Sequence, residues 1–416
     1  MNSCSTSERR RLKVAWISYF PVEWLPDAPE SVRKLPHHHP ATWQRVLLEE
    51  FKRKENEEQG RSGETLQPEL HILCVRRHFE RNLSFELNGA TFYCLKLPPG
   101  MRTLTLFWWE TLLIRRYLRR IKPDLVQAWG TERGAALVAS RLRYPYLVTM
   151  QGLIEWYAER VRLARVQQLE ARLERPSLRR ASVVTTESTF AVGWLQQHYP
   201  HLEVRQAEHA ANWLFHRLER RPELQPMRFL CVAVQSRIKG TDILLQGLDR
   251  LREELNFRLT IVGPPAHEFI AEMKTVTSGA LWERIEFKHE LTQEQVASEM
   301  QRATMVLFPT RVDTSPNSVK EAVVAGVPVV ASAIGGIVDY VLPGKNGITF
   351  EAGNLAAFIE SVRAAATHPL FRTGKVDEES RKQMSNYLSP AVMRERFLSA
   401  YERVLERGRD RHRHGR

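Results

Sequence analysis

The chain has 416 residues, of which 43% are hydrophobic and 26% are charged. This composition excludes an intrinsically disordered chain, and no apolar run is long enough to span a bilayer, which argues against a membrane-spanning protein. Because the N-terminus lacks a hydrophobic signal region, we expect a cytoplasmic protein. The formal net charge of +13 predicts an anionic partner, such as a nucleic acid, a membrane surface or a sugar nucleotide.

Apolar strand-like runs alternate with helical patterns along most of the chain, which predicts an α/β fold with parallel sheets. A first series of predicted strands covers 13–20, 69–75, 91–97, 125–128, 146–150, 183–186 and 204–207. A second series covers 228–234, 258–262, 285–288, 305–308, 327–331 and 347–350. We therefore predict two Rossmann-like domains.

The domain boundaries follow from these two series. The N-terminal domain is predicted over residues 1–210 and the C-terminal domain over residues 228–388, with a polar linker at 211–227. The pattern of residues 389–416 predicts a long final helix with a basic tail. Ser389 is its expected cap, and Pro390 suits the first helical position because its missing N–H costs nothing there.

Residues 104–122 join aromatic and basic side chains. Phe107, Trp108 and Trp109 precede a cluster of four arginines, Arg115, Arg116, Arg119 and Arg120. A basic helix with aromatic residues on its apolar side is typical of a helix that lies in a membrane interface. The alternative is a core helix whose arginines are solvated, and the sequence leaves both interpretations open.

No metal or other cofactor is indicated. The cysteines lack metal-ligand spacing, and the chain has no Asp-x-Asp motif to hold a divalent cation on a sugar nucleotide. Consecutive side chains point in different directions, so the run 37–39 of three histidines is not expected to bind a metal. We expect His39, after the first strand, and His209, near the linker, to lie where the two predicted domains meet.

Residues 236–240, with the sequence SRIKG, follow a predicted strand and open a predicted helix at Thr241. A lysine at such a helix start can reach a diphosphate and stabilise it as it leaves. Lys239 is the candidate for this role, and Arg237 is a second candidate from its charge alone. Gly263 ends another predicted strand, where the backbone can approach a nucleotide.

The segment 308–336 holds the main candidate site. It predicts a strand, a loop with Asp313, a helix with Glu321, and a further strand. Ser315 is expected to cap this helix and Pro316 to be its first residue. The helix start, with Asn317, Ser318 and Val319, favours an anion because its N–H groups are free and its dipole is positive there. Carboxylates beside such a helix start suit a ligand that is both polyhydroxylated and anionic.

This segment resembles the acidic motif of family 4 glycosyltransferases, in which seven residues separate two acidic ones before E-A-x-x-x-G-x-P-V-V-A-S and G-G. The resemblance implies a GT-B fold, in which two Rossmann-like domains face each other across a cleft and the last helix packs back towards the N-terminal domain. It also implies a nucleotide-sugar donor and transfer with retention of configuration to a glycan or lipid-linked acceptor in surface polysaccharide biosynthesis. On this basis we expect His39 and His209 on the acceptor side of the cleft. It assigns Glu321 to the ribose hydroxyls and Asp313 to the transferred sugar. In the same family an arginine and a lysine bind the leaving diphosphate, and Lys239 matches that lysine.

Several positions depart from the family pattern. Its arginine falls on Val234, and its first-domain histidines are replaced by Gln127, Trp129 and Gln151. Gln151 is expected in the acceptor side of the cleft, where a glutamine can hydrogen-bond a hydroxyl but cannot act as a base. These departures leave a second hypothesis open, a catalytically weakened subunit that binds sugar nucleotides. A nucleic-acid binder is a third, but the aromatic residues do not interleave with the basic clusters.

Overall fold

The structure is a computed structural model that describes residues 12–36, 41–58 and 67–414. Its strands are β1 (Leu12–Ile17), β2 (Pro68–Arg76), β3 (Leu83–Leu87), β4 (Ala90–Lys96), β5 (Leu125–Trp129), β6 (Tyr146–Thr149), β7 (Val183–Thr186), β8 (Val204–Gln206), β9 (Met227–Val232), β10 (Phe257–Val262), β11 (Ile285–Lys288), β12 (Met305–Phe308), β13 (Val329–Ser332) and β14 (Gly347–Phe350).

The helices of the first half are α1 (Glu30–Arg33), α2 (Thr42–Glu58), α3 (Met101–Leu104), α4 (Trp108–Ile121), α5 (Ala135–Ser140), α6 (Ile154–Arg160), α7 (Arg165–Leu178), α8 (Thr189–His198) and α9 (Trp213–His216). Those of the second half are α10 (Thr241–Leu251), α11 (His267–Val276), α12 (Gly279–Trp282), α13 (Gln293–Arg302), α14 (Asn317–Ala325), α15 (Ile337–Tyr340), α16 (Leu355–Thr367), α17 (Glu378–Tyr387) and α18 (Pro390–His414). Every helix in the described ranges is too short or too polar to cross a bilayer.

The strands form two sheets. The N-terminal sheet has the order β3-β4-β2-β1-β5-β6-β7-β8 and is parallel except for the β3–β4 hairpin. The C-terminal sheet has the order β11-β10-β9-β12-β13-β14 and is parallel throughout. In each sheet the strand order reverses beside the first strand, next to β5 in one and β12 in the other. Ligands bind open α/β sheets at the carboxyl ends of the strands where this reversal occurs.

Both sheets are buried on two faces, which explains their continuous apolar strands. In β12, Val306 and Phe308 pack into one core cluster, and Met305 and Leu307 pack into another on the opposite face. All four side chains are at most 2% exposed. Because both faces of β12 are buried, all four of its residues are apolar. This continuous apolar run is the pattern from which the sequence predicts the strand.

The last helix, α18, packs against the N-terminal domain. Its Met393, Phe397 and Tyr401 belong to the core cluster that also contains strand β1. The hydroxyl of Tyr401 accepts a hydrogen bond from Trp16 Nε1 at 3.1 Å and donates one to Gln127 Oε1 at 2.5 Å. Gln127 is thereby fully buried in the interior of the domain. At the helix start, Val392 N donates to Ser389 Oγ at 3.2 Å.

Candidate functional site

Two loops of the C-terminal domain meet at the carboxyl ends of β9 and β12. Gly240, at the end of the first loop, has φ of 71°, and a Cβ atom there would lie 1.7 Å from the carbonyl oxygen of Pro309 in the second. Arg311 N also donates to the carbonyl oxygen of Ile238 at 2.8 Å. Only glycine permits this approach, because any side chain would clash with the second loop. Gly240 therefore allows the two loops to touch.

This contact brings two predicted site residues together. Lys239 Nζ lies 2.5 Å from Asp313 Oδ2, with the lysine side chain 28% exposed and the carboxylate 9% exposed. The other carboxylate oxygen, Oδ1, accepts a hydrogen bond from Ser315 N at 3.1 Å. An ammonium, which can bind an anion, and a carboxylate, which can accept a hydrogen bond from a hydroxyl, therefore lie side by side.

Arg237 is directed elsewhere. Its guanidinium pairs with Glu272 of α11 and lies 3.5 Å from Asp242 Oδ2, and its side chain is 54% exposed. Asp242 in turn accepts a two-point contact from Arg311, at 2.7 and 2.8 Å. Val234, which occupies the position of the family arginine, is half exposed. Of the two cations in this loop, Lys239 contacts Asp313 and Arg237 does not.

Helix α14 begins one residue later than expected. Asn317 is its first residue and Pro316 is the cap position, with no side-chain cap. The predicted cap by Ser315 is wrong because the hydroxyl of this serine donates instead to Glu208 Oε1 at 2.8 Å. Asn317 and Ser318 are partly exposed in the first turn, where backbone N–H groups lack partners inside the helix. Val319, by contrast, packs in the core with no exposed surface.

Glu321 lies one turn further along α14 and is only 8% exposed. Burial raises the pKa of its carboxyl group to about 8. A ligand that brings hydroxyl donors to this carboxylate would favour its charged form. Gly263 lies at the end of β10, where its N–H donates to the carbonyl oxygen of Lys288 at 2.9 Å. Glu321 is about as buried as Asp313, which is 7% exposed.

The N-terminal domain contacts the same loop from the other side of the cleft. The hydroxyl of Tyr157, in α6, is 3.1 Å from Thr314 Oγ1 and 3.3 Å from Thr314 N. Thr189 N donates to Asp339 Oδ2 at 2.8 Å. At Gly335, φ is 56° and a Cβ atom would lie 1.9 Å from the carbonyl oxygen of Asp313. These contacts hold the loop after β12 between the two domains.

A buried charged cluster lies behind this loop. Lys320, which is 0% exposed, places its ammonium 2.5 Å from Glu187 Oε2 and 3.6 Å from Glu208 Oε1. His209 Nδ1 is 3.0 Å from the other oxygen of Glu187. Burial raises the pKa of Glu208 to about 7. Burial opposes the charge on Glu187, but His209 and Lys320 outweigh it and lower the pKa of this carboxyl to about 2.

His209 does not face the cleft as expected. It is 0% exposed and stacks on Trp43, with ring centroids 5.4 Å apart, while Trp129 lies at 5.8 Å. Burial lowers the pKa of His209, although Glu187 acts in the opposite direction. The two tryptophans stand between the histidine and the cavity described next. His39, the other expected histidine, lies outside the described residues.

The N-terminal domain contains a cavity of about 350 Å³ at the carboxyl ends of β1, β2, β5 and β6. Gln151 lines it, as do Trp129 and Arg133. Glu132 lines it too, and burial raises the pKa of this carboxyl to about 8. Its Oε2 has no hydrogen-bond partner among the described residues. The cavity has the size of a site for a single small ring, with polar groups that suit hydroxyls.

Sequence reasoning missed Glu132, Tyr157 and the cluster around Lys320. The available signal for Glu132 is its position three residues after β5, at the edge of the sheet where ligands bind. Tyr157 and Lys320 have no such signal because their partners are more than a hundred residues away. Among the residues that the structure describes, no three histidine, cysteine or carboxylate side chains come together as a metal site.

Comparisons with known proteins agree with this architecture. The profile described as Glycosyltransferase Family 4 matches residues 69–205, and that described as Glycosyl transferases group 1 matches residues 226–368. A D-inositol 3-phosphate glycosyltransferase of Catenulispora acidiphila is 30% identical over 184 residues, which are 42% of this chain and 44% of that protein. One from Streptomyces coelicolor is 28% identical over 141 residues, covering 32% and 31%. The alignments thus span less than half of these relatives.

Solved structures share the fold over nearly the whole chain. Sucrose-phosphate synthase from Thermosynechococcus elongatus has a TM-score of 0.74 at 15% identity, covering 95% of this chain and 100% of that one. The Anabaena protein HepE, in complex with UDP-glucose, has a TM-score of 0.68 at 12% identity, covering 94% and 100%. The two facing parallel sheets are therefore those of the GT-B fold. The Family 4 profile matches the N-terminal half and the group 1 profile matches the C-terminal half, so the chain belongs to the glycosyltransferases that these two profiles describe.

Proposed function

We propose that this protein transfers a sugar from a nucleotide-diphosphate sugar to a hydroxyl group of a glycan or lipid-linked acceptor, in surface polysaccharide biosynthesis. One observation carries the proposal. The Lys239–Asp313 pair and the start of α14 lie on one side of a cleft, and a cavity with hydroxyl-binding groups lies at the strand ends of the facing domain. The Anabaena protein HepE, which shares the fold, has been solved in complex with UDP and with UDP-glucose, and this supports the same class of donor.

The donor is held by the C-terminal domain. The Lys239 ammonium neutralises the diphosphate as it leaves, together with the first-turn N–H groups of α14 at Asn317 and Ser318. Asp313 accepts hydrogen bonds from the transferred sugar, and Glu321 accepts them from the ribose. The short contact between Lys239 and Asp313 supports this assignment, because a diphosphate and the sugar attached to it would need their binding groups to be adjacent. With these charges in place, we propose transfer without a metal ion and with retention of configuration.

The acceptor enters the N-terminal cavity. Gln151 and Glu132 both line it, and each offers oxygen atoms to an incoming hydroxyl. A protonated Glu132 can also donate a hydrogen bond, since its raised pKa keeps the proton on at neutral pH. The volume of about 350 Å³ accommodates a terminal ring and leaves the remainder of a glycan or lipid carrier outside.

The test is calorimetric titration with a panel of nucleotide-diphosphate sugars, followed by turnover with the donor that binds. Lys239→Met should lower kcat by on the order of a hundredfold or more, since it removes one charge-stabilising group. Asp313→Asn should reduce the affinity gained from the sugar but not the affinity for the bare nucleotide. Lys375→Met, at an exposed lysine of the same domain, is the matched control. Unchanged turnover in Lys239→Met would refute the assignment.

A second function is favoured by a separate observation. The position of the family arginine is the half-exposed Val234, and Arg237 pairs with Glu272 rather than with the Lys239–Asp313 pair. A subunit that binds sugar nucleotides with little turnover would show this loss of cationic charge. Donor hydrolysis without an added acceptor separates the two functions, because only a competent site releases the nucleotide diphosphate.

A further inference from the structure

The segment that leads into α4, and the first turns of α4, expose large apolar side chains. The exposed fractions are 81% for Leu104, 47% for Leu106, 53% for Trp108, 41% for Trp109 and 57% for Leu112. Single exposed apolar residues are common on proteins, but five within nine residues form a patch. A patch of this kind marks a surface that contacts another molecule.

The backbone turns these side chains outwards. Leu106 and Phe107 have φ of 43° and 68°, in the left-handed region that disfavours residues other than glycine. This turn buries Phe107 and leaves Leu106 and Trp108 outside. Arg141 fixes it, because its Nη1 donates to the carbonyl oxygen of Leu106 at 2.7 Å and its guanidinium lies 4.5 Å from the Trp108 ring. The exposure is therefore built into the fold.

The same side of α4 becomes cationic further along the helix. We define the outer face of α4 by its exposed residues Trp108, Trp109, Leu112, Arg115, Arg116, Arg119 and Arg120. A helical period of 3.6 residues places them on one side. The acidic residue of α4, Glu110, is buried on the opposite side and pairs with Arg102 at 2.6 Å. The outer face therefore combines an apolar end with a basic end and carries no negative charge.

We propose that the outer face of α4 binds the surface of an anionic phospholipid bilayer. Tryptophan and leucine side chains insert at the level of the lipid headgroups, and arginines are attracted by the negative surface potential. The net charge of +13 has the sign required for that attraction. A nucleic acid would account for the arginines, but it gives no reason to expose Leu104 and Leu112 as well.

The position of α4 connects this surface with the proposed function. The inner side of the helix contributes Glu110 and Ile114 to the wall of the N-terminal cavity. A bilayer bound to the outer face would therefore lie beside the proposed acceptor site. The inference that the acceptor is lipid-linked rests on the proposed function. The proposal that the outer face of α4 binds a bilayer does not.

The first test is co-sedimentation of the full chain with vesicles of phosphatidylcholine, alone or mixed with phosphatidylglycerol. The protein should bind the mixed vesicles and be released as salt rises. Changing the four arginines of the outer face to glutamine should weaken partitioning by on the order of a thousandfold. The matched control removes four positive charges from exposed positions of the C-terminal domain, Arg250, Arg258, Arg372 and Lys375.

The control variant should bind like the unmodified protein, and all variants should retain their circular dichroism and donor affinity. Equal binding to neutral vesicles would overturn the proposal, as would undiminished binding by the arginine variant. Binding to random-sequence DNA but to neither vesicle would overturn it in favour of a nucleic acid. If the unmodified protein bound the vesicles but none of the sugar nucleotides, the result would count against the proposed function alone.

The second test asks whether the tryptophans enter the lipid. Brominated phospholipids should quench the fluorescence of the unmodified protein, which has ten tryptophans. The double variant Trp108→Phe, Trp109→Phe keeps two aromatic side chains, so it should still bind the vesicles but lose most of the quenching. Quenching that persists in this variant would show that another surface inserts, and the proposal would fail.

Discussion

Replacing Lys320 by methionine should destabilise the fold in a strongly pH-dependent way. The ammonium of Lys320 lies between Glu187, at 2.5 Å, and Glu208, at 3.6 Å, and all three side chains are at most 7% exposed. Methionine has a similar shape and no charge. The substitution leaves Glu187 with His209 as its remaining partner, and it leaves Glu208 with no cation nearby within this cluster.

The expected cost at pH 8 is about 3–5 kcal/mol, the usual effect of removing one partner of a buried ion pair. For a chain of this length the entropy of unfolding makes each 1 kcal/mol correspond to roughly 1 °C in Tm, so Tm should fall by about 3–5 °C if the protein unfolds in one step. The second change Glu187→Gln removes one of the two carboxylates that faced Lys320 and should restore part of the loss.

Comparison of pH 5 with pH 8 separates charge from packing. At pH 5 Glu208, with a pKa of about 7, is already protonated, and Glu187 can take up a proton once its cation is gone. At pH 8 both carboxyl groups are ionised in the native cluster. The penalty for Lys320→Met should therefore be smaller at pH 5 than at pH 8.

The measurement is denaturant-induced unfolding of the native protein, of both single variants and of the double variant at each pH. The coupling energy from this cycle isolates the contribution of the Lys320–Glu187 pair. A penalty that is the same at both pH values would refute the electrostatic explanation. A double variant no more stable than Lys320→Met would refute the assignment of Glu187 as the main partner of Lys320.

Three other predictions concern the donor site and the last helix. Because the pKa of Glu321 is about 8, calorimetric donor affinity should rise between pH 6 and pH 9 as the carboxylate forms, and Glu321→Gln should abolish this rise; a persistent rise would exclude the residue. Gly240→Ala places a methyl group against Pro309, so donor affinity should fall at least about tenfold while circular dichroism stays unchanged; full affinity would contradict the loop contact. Tyr401→Phe removes two buried hydrogen bonds, and denaturant unfolding should show a loss of about 1–3 kcal/mol, whereas no loss would show that they contribute little.

Most of the strands could be predicted because they are apolar runs buried on two sides. β7, β11, β12 and β14 begin and end where the sequence analysis placed them. Strand β3 was missed, since it is a short edge strand whose residues are exposed or half-exposed in alternation. The strand predicted at 327–331 begins later, at Val329, because Gly326 and Pro328 occupy the turn after α14.

The candidate site was predictable only where its residues follow strands. Lys239 and Asp313 each follow a strand of one sheet, so their proximity follows from the topology. Lys320 could not be found in this way, because a lysine within a helix is exposed in most proteins and only tertiary structure shows that two distant carboxylates surround it. Ser315 failed as a predicted cap for the same reason, since Glu208 is distant in sequence and competes for its hydroxyl.

The position of α18 has a consequence for the order of folding. Tyr401, Phe397 and Met393 fill the core against strand β1, so contacts near the beginning of the chain are completed by residues almost four hundred positions later. During synthesis the C-terminal sheet can form and close while the N-terminal domain still lacks one wall of its core. Because loop closure over such a separation is slow, the N-terminal domain should be the last part to acquire full protection from proteolysis on the ribosome.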